Sequence, residues 1–146
     1  MVLAALEFVI SRQRLLEVAE THPLASSPNI EIRIKYFKAL PFFPINARTQ
    51  SLLQSGLGDS DWRVRAMAAR ACGLLRVSNL APQLLEVVKS SEISAEAGHA
   101  ARALVTIGGE ARRSLQALSS SGSEMVHRII TEVMEREILL GTEMAR

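Results

Sequence analysis

The residues of this chain that could do chemistry are few. Its three histidines, His22, His99 and His127, form no HxxxH pattern and no His–Glu pair, so the sequence encodes no metal site. His127 reads as a structural polar residue, and His99 as either packing beneath a loop or partly solvated. The single cysteine, Cys72, excludes an internal disulfide framework and a Cys-based zinc site. Flanked by apolar residues, it reads as an inert buried thiol, not a nucleophile. No Ser/His/Asp order, Walker sequence or dinucleotide fingerprint occurs. The expectation is a protein that is no enzyme, with no catalytic residue, no metal and no cofactor.

Two arginine-containing places could instead bind an anion. Gly108-Gly109 precedes Glu110-Ala111-Arg112-Arg113, which would set a helix N-terminus beside the guanidiniums of Arg112 and Arg113. The same residues also make an ordinary turn between helices. The second place is a set of cations, Lys38, Arg70 and Arg102, at a constant spacing of 32 residues. Whether they act together depends on the elements that carry them.

The elements are helical. Ala and Leu occur 19 times each among 146 residues and aromatics make up only 4%, a mix that favours helix over a β-sandwich or barrel. With 48% hydrophobic and 22% charged residues the chain is neither disordered nor fibrous. The net charge of +2 does not by itself demand an acidic partner, although arginine (14) far exceeds lysine (3). No stretch approaches the roughly 18 to 20 apolar residues that cross a bilayer. The apolar start, Val2 to Ile10, lacks the flanks of a signal peptide, which makes a cytoplasmic protein the default expectation.

The chain repeats itself. Asp59 to Leu75 aligns with Ser91 to Ile107, superposing Ala68 to Cys72 (AARAC) on Ala100 to Leu104 (AARAL). Stepping back 32 residues brings Ser27 to Phe43 into the frame, and stepping forward 30 from Ser91 brings Ser121 to Glu137. Ser27, Asp59, Ser91 and Ser121 share a column that suits helix N-caps, with Pro28 at a first helical position and Ser121 and Glu124 at capping-box spacing. Ile32, Val64 and Val126 form an apolar column with Glu96 as the exception; Leu40, Cys72, Leu104 and Met134 form another. Ala39, Ala71 and Ala103 let helices approach closely. Each of these helices follows another apolar-periodic segment: Val2 to Thr21, Arg48 to Leu57, Leu80 to Lys89 and Glu110 to Ser119. The prediction is one domain, residues 1–146, of eight helices in four antiparallel pairs spanning about 2–44, 45–76, 77–108 and 109–140.

Asp59, Val64-Arg65, Ala68-Ala69, Ala71 and Gly73 together resemble the HEAT-repeat signature. The short period is similar to the HEAT-like units of phycobilisome-lyase type and of bacterial scaffolds. The resemblance implies an all-α fold, an α-solenoid with a right-handed superhelix of about four helical hairpins. It also implies that an Asp in the turn and an Arg in the following helix pair within and between units, here Asp59 with Arg65 and with Arg33; Ala97 and His127 replace that Arg further on. Metal-dependent HEAT-like hydroxylases use repeated His–Glu dipeptides, which this chain lacks. The tail from Gly108 to Met134 looks like the last unit of membrane-anchored bacterial HEAT proteins. That likeness, with the apolar Val2 to Ile10, points to a missing preceding unit, a second copy or a membrane surface against the first helix, and to a chain that is the soluble part of an anchored protein.

In HEAT arrays the second helices line the concave face. There Lys38, Arg70 and Arg102 would make a basic stripe of order 20 Å, with Arg63 seven residues before Arg70 on the same face. The leading expectation is a protein–protein interaction scaffold that takes an acidic partner segment on this stripe; a plain solvated face is the other reading. A nucleic-acid module is the alternative, opposed by 15 acidic residues and a single Trp. A chromophore-lyase subunit comes third.

Overall fold

The computed structural model describes residues 22–144. Val2 to Ile10, the helix expected over Val2 to Thr21 and any contact through them lie outside the described residues. Seven α-helices follow: α1 Ile30–Ala39, α2 Thr49–Leu57, α3 Trp62–Leu74, α4 Ala81–Ser90, α5 Ser94–Ile107, α6 Gly109–Leu118 and α7 Glu124–Met144. Short 3-10 turns occupy His22–Ser26, Leu40–Phe42 and Ser78–Leu80, and no strand occurs among the described residues. The helices form an all-α solenoid of two layers. α1, α3, α5 and α7 pack in succession along one layer, while α2, α4 and α6 lie on the other and touch one another sparsely. α1, α3, α5 and α7 are the second helices of their hairpins, the inner layer in the arrangement that the resemblance implies.

Small residues permit that close approach. Ala39, Ala71 and Ala103 are all buried, and a Cβ on Gly73 of α3 would lie 2.8 Å from the Cα of Ala103 on α5. Only glycine fits there, and the absence of its side chain brings the two helices together. The apolar columns fill the space between layers, with Val64, Cys72, Leu104 and Leu40 at most 1% exposed. Burial pushes the Cys72 thiol up to about 12, so it stays protonated at neutral pH. At the start of the described chain Tyr36 meets Phe37 edge-on, with ring centroids 5.3 Å apart.

The turns differ from the sequence expectation by two residues. Ser27, Asp59 and Ser91 are not the N-caps; each accepts the backbone N–H two residues on, at 3.2, 2.9 and 3.1 Å. The caps follow them. Asn29 and Asp61 accept from the N–H groups of Glu31 and Arg63, and Ser123 accepts from Val126. Pro28 therefore lies in the turn before α1, and Ser121 with Glu124 makes no capping box because α7 begins at Glu124. One side-chain chemistry, an oxygen bonded to a nearby backbone N–H, serves both the turn and the cap.

The ionic contacts between hairpins also depart from the expected pairing. Arg33 of α1 makes a two-pronged bond to the Asp59 carboxylate (Nε 2.9 Å, Nη2 3.1 Å) and donates to the Ser27 carbonyl at 2.8 Å. Arg65 of α3 repeats this geometry one unit on: its Nη1 donates to the Asp59 carbonyl at 2.8 Å, but its carboxylate partner is Glu96 of α5. Asp59 and Arg65 thus meet through a main-chain hydrogen bond, and the direct carboxylate partner of Arg65 is Glu96. Ser91, which stands where Asp59 stood, donates its hydroxyl to Glu96 at 2.7 Å. Glu96, the exception in its apolar column, is only 3% exposed and replaces the missing turn carboxylate from within the helix. Ala97 ends this ladder, and His127 of α7 anchors its own turn through Ser119 instead.

A buried carboxylate stripped of its cation is costly, about 3–5 kcal/mol, whereas a well-packed apolar pair is tolerated. Arg65→Met should therefore destabilise the fold by about that amount in urea titration. Arg65→Met combined with Glu96→Val, the residue type of that column, should recover most of the loss. Cys72 should react with a thiol reagent about 1,000-fold more slowly in the native protein than in guanidinium at the same pH, around 8.

Candidate functional site

Lys38, Arg70 and Arg102 project from α1, α3 and α5, three consecutive helices of the inner layer. Arg70 and Arg102 come together. With Gly73, Leu74, His99, Ala103 and Thr106 they line one shallow depression of about 230 Å³ between α3 and α5. The close contact at Gly73 and Ala103 forms its floor, and Leu74, 52% exposed, gives it an apolar wall. The Arg102 guanidinium folds back one turn along α5, its Nη1 3.7 Å from where a Cβ on Gly98 would be. Lys38 is half-buried in the next helix of the row and does not line the depression.

Arg63 does not join them. Its guanidinium is taken by Asp61 at 3.0 Å and Glu31 at 3.5 Å, at the N-terminal end of α3. The same contact, chiefly the side-chain hydrogen bond, holds the Asp61 carboxyl below its usual range. The anion site expected around Arg112 and Arg113 is not assembled. Arg113 is bonded to Glu110 at 2.9 Å, and the groove beside Gly108 and Gly109 is lined by Glu110 and Ser114 without either arginine. Gly108, between α5 and α6, and Gly109, the first residue of α6, adopt left-handed φ values of +76° and +54° and reverse the chain there.

His99 is the site residue that the sequence reading missed. It is half-buried in the depression, one turn before Arg102 and across from Arg70. Burial first, then the charges of Arg102 and Arg70, push its imidazole below the ordinary histidine range. The signal was available: His99 and Arg102 have the i, i+3 spacing of one helix face, and Arg70 shares Arg102's column. The depression can receive an anionic group between two guanidiniums. No carboxylate lines it. Among the described residues no three of His, Cys, Asp and Glu gather as metal ligands, and no helix is long and apolar enough to cross a membrane.

The row of inner helices ends in the opposite sign. Glu132 of α7 takes the position of Arg102 one repeat on, exposed and paired with Arg136 at 3.5 Å. The α7 face beyond it carries Glu124, His127, Arg128 and Glu135.

No curated protein matches the chain. The family model for HEAT repeats matches it twice, over residues 18–104 and 49–135. These two overlapping matches span α1 to most of α7 and take in both the Arg33–Asp59 and Arg65–Glu96 contacts. The two-layered helical solenoid and the family match agree: the chain belongs to the HEAT-repeat family.

Proposed function

We propose that this protein is a non-catalytic scaffold that binds an acidic segment of a partner protein on its inner face. The contact centres on Arg70 and Arg102, with Lys38 extending it along the row. HEAT repeats are commonly protein-interaction scaffolds, which sets the class of function. One observation carries the finer reading. Arg33, Arg63, Arg65, Arg113, Arg128 and Arg136 each have a carboxylate partner within the chain. Arg70 and Arg102 have none among the described residues; Arg76 and Arg112 have none either, but Arg70 and Arg102 are the two that line one depression together. Two guanidiniums held near each other without a counter-ion repel, and an external carboxylate relieves that repulsion while gaining charge-assisted hydrogen bonds. The exposed Leu74 beside them offers an apolar contact to the same segment.

A duplex nucleic acid is the competing partner. The formal charge of +2 and the acidic α7 face oppose a long phosphate track, which needs many cations in a row.

Fluorescence anisotropy with a synthetic Asp-rich peptide tests the proposal. Arg70→Glu/Arg102→Glu should weaken binding roughly tenfold or more, a loss of about 1.4 kcal/mol at the least, with the helical signal unchanged. Equal affinity for wild type and variant overturns the assignment. Tight, steeply salt-dependent binding of duplex DNA that needs both arginines would move it to nucleic acid.

A further inference from the structure

The depression between α3 and α5 holds, beside its two guanidiniums, a third group able to carry charge. We propose that His99 couples binding on this face to protons: a partner carboxylate captured between Arg70 and Arg102 brings a proton onto the imidazole, so the grip tightens as pH falls below neutrality. This rests on the reading of the inner face given above and assigns that site its regulation.

The argument begins with what faces His99. Arg70 of α3 and Arg102 of α5 line the depression with it, and these two are the charges that act on the imidazole. The carboxylates of every other element packed on α5 lie elsewhere. Glu96, on the same helix, is held by Arg65 and Ser91. From α4, Glu86 approaches Lys89 at 4.0 Å; from α6, Glu110 pairs with Arg113. From α7, Glu124 pairs with Arg128 and Glu132 with Arg136, and Glu135 lies with them along the α7 face. None of these lines the depression.

The empty site therefore disfavours imidazolium twice, through partial burial and through two like charges nearby. A bound carboxylate cancels the repulsive field and offers an acceptor, so the ring now gains by taking a proton and becoming a third donor. Binding raises the histidine's proton affinity, and linkage then requires that protons raise the affinity for the carboxylate by the same factor. The sign follows: affinity grows as pH drops through the bound-state value and levels off below the free-state value. In the absence of partner the same depressed histidine works against the fold. The unfolded chain takes up the proton first, so native stability declines as pH falls below about 6.5. The partner offsets this loss.

The test is calorimetric titration of the full chain with a synthetic Asp-rich peptide, whose carboxylates stay ionised between about pH 5.5 and 7.5. Wild type should bind about tenfold more tightly at the lower pH, with proton uptake visible as a dependence of the heat on buffer. His99→Gln should bind with a flat pH profile, which separates His99 from His22 and His127. If the variant loses helical structure, the wild-type His99 imidazole is titrated by NMR with and without peptide instead. An upward move on binding supports the coupling, and an unchanged titration overturns it. Binding that needs Arg70 and Arg102 but has the same pH slope in His99→Gln overturns the coupling and leaves the scaffold reading in place. Failure of the peptide to bind through the two arginines at either pH overturns both.

Discussion

A buried carboxylate has to find a cation, and in this chain that requirement ties one hairpin to the next. Glu96 is 3% exposed, in a column where its counterparts are Ile32, Val64 and Val126. Arg65 reaches it there from α3, and Ser91 from the turn before its own helix. Arg65 at the same moment holds the Asp59 carbonyl, so one guanidinium fixes a turn in its own hairpin and a helix in the next. Arg33 does the same with Ser27 and Asp59. These bonds are directional in a way that apolar packing is not, and they fix the register in which successive inner helices meet.

The site inherits its geometry from that register. With α3 and α5 fixed at their N-terminal ends, the small residues further along, Gly73 and Ala103, come into contact. Arg70 and Arg102 lie beside that contact and share one depression with it. The ions of the ladder are satisfied inside the chain, whereas those of the depression are not. The same residue type has a structural task at one end of the helix and is left available near the other.

Much of this was legible in the sequence because it repeats. A period of 32 residues puts chemically similar side chains into columns, and columns identify helices, core and the cationic row without any knowledge of packing. What the columns could not show were the exchanges between them. Ser91 has lost the carboxylate of Asp59 while Glu96 has gained one five residues later, a compensation visible only when both side chains point at Arg65. The same limit applies to the turns. Serine and aspartate before a helix can cap it or close the turn that precedes it, and the difference of two residues lies in the backbone. His99 fell in the column of Met67, which suggested packing; its charged neighbours, Arg102 on its own helix and Arg70 on α3, belong to a different column.

The ladder stops where Ala97 takes the place of arginine, so successive joints of the array are unlike in their mechanics. The joints from α1 to α3 and from α3 to α5 are clamped by directional ionic bonds. The joint from α5 to α7 relies on the packing of residues such as Leu104, Val126, Ile130 and Val133 against one another. Shear along a greasy contact meets less resistance than rotation about a two-pronged bond. Of the described joints, the one from α5 to α7 would yield first under load, leaving the cationic depression rigid on its stiff segment and α7 as the compliant arm.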